Sequence, residues 1–308
     1  MLPAFTLHRP RTADEACALL AGLGEDAAPY AGGTELLLVM KLGFASPPHL
    51  VDVKRIAGFD TIEDTADRVR VGAVVTHRAL ERSAAVRRRC PLVTDVARHV
   101  ANVRVRNVGT VGGNLAFADP HSDLATLFLA LDGRLELISP RGRRELALAD
   151  FVRGPWETAR AADELLAAVT FTPWPSGTAA TYVKFGVHER PTLGIALALL
   201  PDGDARGFTA SARIGGARLA VGCVNPRPTR VPAAEARLAG VTVRELGDVR
   251  NDVAALAAAQ VDAVDDLHGS ADYKREMAAV FTRRALDAAA ARARGETVTA
   301  RYAYTVMV

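Results

Sequence analysis

The segments AGGTELLLVMKLG, residues 31–43, and GTVGGNLAFADPHSDLA, residues 109–125, decide the fold of this chain. In each, strand-like residues lead to a Gly-Gly pair, and a Thr or Asn follows that could begin a helix or turn. Glycine adopts positive φ and lets a ligand approach the backbone without a Cβ in the way. The backbone N–H groups of such a pair can form an anion-binding nest, which the dipole of a helix starting just after it would strengthen.

Two nests in different parts of the chain suit a diphosphate that carries an organic group at each end. The sequence has neither a GxGxxG nor a GxxxxGK[ST] motif, which argues against a Rossmann site and a P-loop. No basic residue stands beside either pair as a phosphate clamp, so we expect backbone dipoles to supply most of the neutralisation. A single Gly-Gly pair is more often only a turn, and we expect Gly215-Gly216 to be a bulge or hairpin between strands.

Length and charge indicate a globular protein of more than one domain. The 308 residues exceed the size at which one hydrophobic core usually stops growing, so two or three domains are expected. Lys and Arg number 38 against 35 Asp and Glu, and this balance gives no electrostatic case for nucleic acid or a membrane surface. Apolar runs are too short for a membrane helix, and the N-terminus shows no secretory signal.

Metal and catalytic motifs are not apparent. Cys17, Cys90 and Cys223 lie far apart without a CxxC pair, which favours reduced thiols in a cytoplasmic protein and no iron–sulfur site on this chain. Several histidines show no metal-ligand spacing to one another: His77, His99, His121 and His188. No Ser–His–Asp arrangement can be identified. We therefore predict no catalytic residue and no metal site.

The pattern of elements divides the chain into three regions. Residues 1–57 are typical of an α/β unit, in which Thr12 and Glu15 form a helix-capping box. Residues 58–175 mix strand-like and helical pieces around the second glycine pair. A break at residues 173–177, with two prolines and a glycine, precedes residues 178–308, where strands are followed by helices. Strands first and helices after indicate an α+β domain with a sheet covered by helices.

Local patterns predict further details. Thr34 is expected to cap a short helix over residues 35–42. One helical stretch is expected over 78–89, and separate strands over 209–214 and 219–224. Two long helices are expected over 251–261 and 271–293.

The two glycine segments also resemble the FAD-binding loops of the flavoprotein subunits of molybdenum hydroxylases. This family includes the medium subunit of aerobic carbon monoxide dehydrogenase and the FAD domain of xanthine dehydrogenase. The resemblance extends from AFTLHRPRTADEACALL near the start to GGARLAVGCVNPRPTRVPAAEARLAG and GSADYKREMAAVFTRRAL near the end. It implies a PCMH or vanillyl-alcohol-oxidase type of FAD-binding fold, α+β in class, made of subdomains 1–57 and 58–175. A C-terminal α+β domain, 178–308, would cover the flavin.

The resemblance implies a set of FAD-binding residues. The first loop would contribute Tyr30, Ala31, Gly32, Gly33, Thr34 and Glu35, and the second Thr110, Gly112, Gly113 and Asn114. Asn114 would use its amide, and Thr110 its hydroxyl, as neutral donors near the phosphate or ribityl region. A simple turn role is the alternative for Asn114. Asp123 would accept hydrogen bonds from sugar or ribityl hydroxyls, although Ser122 or Asp123 could equally cap a helix.

Three further positions follow from the resemblance. Lys184 matches a family lysine near the isoalloxazine ring, where a cation would tune the flavin potential; a solvent-facing strand lysine is the alternative. Leu166 is expected to contact the ring through its backbone. Thr192 or a neighbour stands where some relatives place an aromatic residue over one flavin face. His121, inside the second loop, is expected to be a turn residue.

The function that the resemblance implies is electron relay. A large molybdopterin subunit would hydroxylate the substrate, and a small subunit with [2Fe–2S] clusters would pass electrons to FAD on this chain and on to NAD, a quinone or oxygen. The complex would be a dimer of heterotrimers, and its substrate is not specified because the substrate site lies on the large subunit. Two alternatives remain: a stand-alone PCMH-type flavin oxidoreductase with its own substrate, and an assembly subunit with empty glycine turns.

Overall fold

The computed structural model describes residues 2–186, 190–203, 207–209 and 211–308. Its first elements are β1 (Thr6–His8), α1 (Ala13–Leu23), a 3-10 turn (Gly24–Asp26), β2 (Ala27–Tyr30), α2 (Leu36–Lys41) and β3 (His49–Asp52). The three strands form a parallel sheet in the order β1-β3-β2, so the first glycine loop leaves the carboxyl end of an edge strand. The Thr12 hydroxyl accepts from the Glu15 N–H at 3.1 Å and caps α1 as predicted.

The middle of the chain builds a second, antiparallel sheet, and most of its helices lie between the second and third strands of that sheet in the chain. Its helices are α3 (His77–Arg82), α4 (Ala84–Arg89), α5 (Pro91–Arg98), α6 (Val103–Val108), α7 (Val111–Phe117), α8 (Asp123–Ala130) and α9 (Leu148–Phe151). Its strands are β4 (Ile62–Asp64), β5 (Val69–Gly72), β6 (Arg134–Ser139), β7 (Gly142–Ala147), β8 (Val152–Gly154), β9 (Glu157–Thr158) and β10 (Leu165–Phe171). The sheet order is β4-β5-β10-β6-β7, and β8 and β9 form a separate hairpin.

The last part of the chain forms a third sheet, again antiparallel, in the order β14-β13-β12-β11-β15. Its strands are β11 (Ala179–Phe185), β12 (Leu193–Pro201), β13 (Ile214–Gly222), β14 (Thr229–Arg230) and β15 (Thr305–Met307). Its helices are α10 (Pro232–Leu238), α11 (Leu246–Gln260) and α12 (Ala271–Ala293). The mixture of sheets and helices confirms the predicted α+β class.

Several local predictions are wrong. Helix α2 begins at Leu36, with Glu35 and not Thr34 at its N-cap position, and no side chain caps it. The stretch 78–89 is two helices because the Ser83 hydroxyl accepts from the Val86 N–H at 3.3 Å and starts a new helix. A single strand, β13, replaces the two strands expected over 209–224.

Other expectations for the last part of the chain are confirmed in whole or in part. Gly215 is the extra residue of a bulge, since Leu200 pairs with Gly216 and Pro201 pairs with Ile214. The pair Gly215-Gly216 is therefore a bulge and not a hairpin. Helix α12 has the predicted bounds, and α11 begins five residues before the predicted 251, at Leu246.

The hydrophobic core has two parts, one on each face of the third sheet. One part fills the space between that sheet and α10–α12. The other joins the first two sheets with α1, α3–α5 and α7–α9, and includes Tyr182, Ala196 and Ala220 from the opposite face of the third sheet. Helix α8 thus packs between the middle and last sheets. No helix among the described residues has the length and apolarity needed to cross a membrane.

Candidate functional site

A cleft of about 440 Å³ is lined by both glycine loops. Its size falls within the range of about 300–1,000 Å³ that is usual for small-molecule sites. Most of the predicted site residues line it: Ala31, Gly32, Gly33, Thr34, Glu35, Thr110, Gly112, Gly113, Asn114, Asp123 and Leu166. Tyr30 and Lys184 do not line the cleft and lie behind its wall.

The glycines bring backbone segments together rather than only clearing space for a ligand. A Cβ on Gly32 would overlap the carbonyl oxygen of Val108, so the two loops touch each other at this point. A Cβ on Gly112 would overlap Ala73, the residue just after β5. Gly33 has φ +71°, a conformation that favours glycine, and it sits over the ring of Tyr30. Tyr30 therefore supports the first loop from below.

The first loop has the unpaired backbone donors that an anion site needs. Among the described residues, no acceptor engages the N–H groups of Gly32, Gly33, Thr34 or Glu35. Consecutive N–H groups without internal partners form a nest that anions occupy. The first loop thus keeps free the backbone donors that the predicted nest requires.

The second loop differs, because its backbone donors are already used. Helix α7 begins at Val111, before the glycine pair and not after it, with Thr110 as its N-cap. The Val111 N–H donates to the Val75 carbonyl at 2.9 Å, and the Gly112 N–H donates to the Ala73 carbonyl at 2.8 Å. The Gly113 and Asn114 N–H groups donate to the Thr110 hydroxyl at 3.1 Å and the Thr110 carbonyl at 2.9 Å. This loop can therefore offer side chains to a ligand, and the predicted nest at this loop is wrong.

Asn114 is the donor that the second loop presents. Its amide oxygen accepts from the Ser122 hydroxyl at 2.6 Å, and no described residue accepts from its NH2 group. Ser122 also caps α8, since its hydroxyl accepts from the Ala125 N–H at 3.0 Å. Helix capping and contact with the cleft thus belong to different residues. Ser122 caps the helix, and Asp123 lines the cleft.

Asp123 and Lys184 form a buried ion pair at the cleft wall. Lys184 Nζ lies 2.7 Å from Asp123 Oδ2 and 3.0 Å from the carbonyl oxygen of His99. Lys184 is only 6 % exposed, so the solvent-facing alternative is wrong. Its predicted place near the isoalloxazine ring stays a prediction.

Two cations approach the first loop from distant parts of the chain. Lys54 Nζ donates to the Ala31 carbonyl at 3.1 Å and stands 3.7 Å from the centre of the Tyr30 ring. Arg190, 155 residues from Glu35, lies 3.2 Å from the Glu35 carboxylate and 3.2 Å from that of Asp119. Nothing beside the glycine pairs in the sequence signals either cation, because both arrive through the fold.

The pKa values of the two carboxylates beside Arg190, Glu35 and Asp119, shift in opposite directions. Burial, together with the Asp119 charge, raises the pKa of Glu35 despite the opposing effect of Arg190. Burial would also raise the pKa of Asp119, but hydrogen bonds from His121 and the charge of Arg190 outweigh it and lower that pKa. The cleft mouth therefore holds one readily ionised carboxylate and one that takes up a proton more easily.

Two histidines that line the cleft have buried ring nitrogens without a described partner: His77 Nδ1 and His121 Nε2. Burial and the nearby Arg106 lower the pKa of His77 to about 4, so its ring is neutral at neutral pH. His121 lies in a turn, as expected, and its Nδ1 lies 3.1 Å from Asp119 Oδ1. Buried polar atoms without partners are uncommon in proteins and indicate a bound group or water.

Thr192, expected with its neighbours at one flavin face, is buried, donates its N–H to the Phe185 carbonyl at 2.8 Å and does not line the cleft. His188 lies outside the described residues. Among the described residues no group of acidic, histidine or cysteine side chains could hold a metal ion. All three cysteines are unpaired and buried.

The cleft fits FAD. Free N–H groups at residues 32–35 suit a pyrophosphate, the Asn114 NH2 and Asp123 carboxylate suit phosphate and hydroxyl groups, and the histidine nitrogens offer further partners. Leu165, Leu166, Val74 and Val105 give the cleft an apolar wall. Polar groups at fixed points in an apolar cleft are typical of cofactor sites.

Comparison with known proteins agrees with this chemistry. Residues 3–174 match the family described as the FAD binding domain in molybdopterin dehydrogenase, and residues 195–289 match the carbon monoxide dehydrogenase flavoprotein C-terminal domain. The chain is 34% identical to the nicotine 6-hydroxylase medium subunit of Paenarthrobacter nicotinovorans, with 94% of this chain and 99% of the relative covered. It is also 34% identical to the carbon monoxide dehydrogenase medium chain of Afipia carboxidovorans, with 96% and 100% covered.

A solved structure shows the same fold. Carbon monoxide dehydrogenase from Hydrogenophaga pseudoflava, in a form that lacks the Mo-pyranopterin moiety of its cofactor, superposes with a TM-score of 0.88. The two chains are 34% identical, and 95% of this chain and 99% of the other are covered. The chain therefore belongs to the molybdenum hydroxylase family as an FAD-binding medium subunit, a part of an oxidoreductase that has FAD as its cofactor.

Proposed function

We propose that this chain relays electrons from [2Fe–2S] clusters on a small partner subunit, through FAD, to an external acceptor. The substrate would be oxidised at a molybdopterin cofactor on a large partner subunit. The observation that carries this proposal is the cleft itself: a first loop with free N–H donors faces a second loop that presents Asn114 and Asp123. When bound, FAD supplies the redox chemistry, since it exchanges electrons singly or in pairs.

The chain's own residues would bind and orient that cofactor. The N–H groups of residues 32–35 would hold the pyrophosphate, and the Asn114 NH2 group would donate to a phosphate or ribityl oxygen. Asp123 would accept from sugar or ribityl hydroxyls. The Leu165 and Leu166 side chains at β10 would exclude water from the ring side of the cleft. No side chain is required as a general base.

The domain division and the assembly are part of the same proposal. Domains 1–57, 58–175 and 178–308 are supported by the three sheets, each of which falls within one of these ranges. Relatives named as medium chains support a complex with a large and a small subunit, which we propose to be a dimer of heterotrimers. Buried, unpaired cysteines support a cytoplasmic location.

Spectroscopy of the purified full chain tests the first step. After incubation with FAD and removal of excess cofactor, the chain should show flavin absorption bands at one FAD per chain. A chain without flavin bands would contradict the proposal and favour an assembly subunit with empty glycine turns.

Purification of a tagged chain from its own organism tests the second step. Two further subunits should co-purify, one with molybdenum and one with iron and labile sulfide, and the complex should reduce an acceptor only when both are present. If the FAD-loaded chain oxidises purines or aldehydes by itself, the stand-alone flavin oxidoreductase is correct instead.

A further inference from the structure

Tyr182 lies beside the cofactor cleft without lining it, and it contacts a residue that does. Its hydroxyl donates to Asp123 Oδ1 at 2.9 Å, while Lys184 Nζ donates to Asp123 Oδ2 at 2.7 Å. Tyr182 and Lys184 stand two residues apart on β11, so they project from the same face of the strand. Both carboxylate oxygens of Asp123 thus accept hydrogen bonds from the third sheet. Neither of the two donor residues lines the cleft itself.

The surrounding sheet is shaped to receive these groups. Gly194 of β12 pairs with Lys184 on one side and with Gly222 of β13 on the other. A Cβ on Gly194 would overlap the Tyr182 hydroxyl, and a Cβ on Gly222 would overlap Thr126 Oγ1 of α8. Two neighbouring glycines therefore leave the space in which the Tyr182 hydroxyl and the first turns of α8 meet.

The protonation states suit this role. Burial, followed by the charge of Asp123, raises the pKa of Tyr182 well above its usual value, so the hydroxyl keeps its proton and donates. A carboxylate has about four lone-pair positions, and the two donors from β11 occupy only two of them. Asp123 can therefore still accept hydrogen bonds from a ligand in the cleft.

We propose that Tyr182 and Lys184 are positioning residues of the FAD site, which act through Asp123 by fixing the direction of its carboxylate. This inference rests on the proposed function and adds to it that the third sheet controls FAD affinity. A rigid acceptor loses less entropy when a ligand hydroxyl binds than one that must first be ordered. FAD affinity should therefore depend on the Tyr182 hydroxyl, although that group does not reach the cleft.

A double-mutant cycle on the full chain tests this coupling. The FAD dissociation constant is measured by flavin fluorescence for the wild type, Tyr182→Phe, Asp123→Asn and the double variant. We expect Tyr182→Phe to raise the dissociation constant about tenfold, as is typical for loss of a hydrogen bond to a charged group. In the Asp123→Asn background, Tyr182→Phe should raise the FAD dissociation constant by less than about twofold, because the residue through which Tyr182 acts is already neutral. Tyr304→Phe, at an exposed tyrosine, is the matched control and should leave the constant unchanged.

The outcomes separate the two proposals. Equal factors for Tyr182→Phe in both backgrounds, or no effect in the wild-type background, would overturn this inference alone. A wild-type chain that binds no FAD would overturn the proposed function and this inference with it. Thermal unfolding of each FAD-free variant checks that it is folded. If Tyr182→Phe is not, Lys184→Met removes the other donor to Asp123, and its effect on the dissociation constant should likewise be lost in the Asp123→Asn background.

Discussion

Arg190 is the residue that joins the two glycine loops electrostatically. Its guanidinium lies 3.2 Å from the carboxylate of Glu35 and 3.2 Å from that of Asp119, and it lines the cleft. Without it, the two carboxylates at the cleft would lose this counter-charge. The side chain is 47% exposed, so solvent and salt weaken the effect.

The variant Arg190→Gln should therefore bind FAD several-fold more weakly in low salt, and the difference from wild type should shrink as salt is added. Titration of FAD into both chains at two ionic strengths measures this. Arg104→Gln, at an exposed arginine of α6, is the control. An unchanged dissociation constant at low ionic strength would show that Arg190 contributes nothing to cofactor binding.

His77 should make the stability of the FAD-free chain depend on pH. Burial lowers its pKa to about 4 in the folded chain, and an unfolded histidine titrates near about 6.5. As pH falls below about 6.5, the unfolded chain gains a proton that the folded chain does not, so stability is lost until about pH 4. This histidine alone should lower the free energy of unfolding by about 2 kcal/mol between pH 7 and pH 5.

Denaturant unfolding at pH 7 and pH 5 tests whether stability falls with pH as predicted. Wild type should lose about 2 kcal/mol more over this interval than His77→Gln, which has no group to titrate. The same loss in both chains would mean that other groups carry the pH dependence.

Which site residues could be predicted depends on how far apart in the chain their partners lie. Asn114 and Asp123 belong to one local motif, so the sequence places both at the cleft. Arg190 and Lys54 reach the first loop through the fold, and no local signal marks them. Two of the α7 donors are likewise engaged through the fold, since their acceptors lie in the turn after β5.

At the scale of elements, the contact between the loops depends on Gly32. A Cβ there would overlap the Val108 carbonyl and the Gly109 Cα, and backbone atoms cannot move aside cheaply. Gly32→Ala should therefore destabilise the chain by about 1–3 kcal/mol and weaken FAD binding, because the loops must separate. Gly22→Ala, inside α1 with no atom within 4 Å of the new Cβ, should instead stabilise it by about 0.5–1 kcal/mol. Urea unfolding of both variants measures the contrast, and a neutral Gly32→Ala would contradict the packing described.

Helix prediction succeeded where caps and composition agree. The bounds of α12 follow from Ser270, whose hydroxyl accepts from the Tyr273 N–H at 3.2 Å, and from a long alanine-rich run. The valines of helix α6 favour a strand, yet Asn102 caps it as a helix by accepting from the N–H groups of Arg104 and Val105. Here one capping residue outweighs β-branched propensity, which is a weak preference.

At the scale of the whole molecule, the last strand supports the sheet that holds Asp123. Strand β15 pairs with β11 across Val183–Phe185. Just beside it, the Tyr182 N–H donates to the Val308 carbonyl at 2.7 Å, and the Val308 N–H donates back at 3.0 Å. Removing residues 301–308 would expose β11 as an unpaired edge and release the backbone of Tyr182.

The truncated chain should unfold at a temperature lower by at least about 5 °C, since each kcal/mol lost lowers the midpoint of a protein this large by about 2–4 °C. It should also bind FAD more weakly, because β11 then holds Asp123 less firmly, and it should self-associate through the open edge on size-exclusion chromatography. A peptide of residues 301–308 added in excess should restore affinity by adding the strand back, whereas a scrambled peptide should not. If truncation lowers stability but leaves the FAD dissociation constant unchanged, the third sheet is a structural support that does not influence the cofactor site.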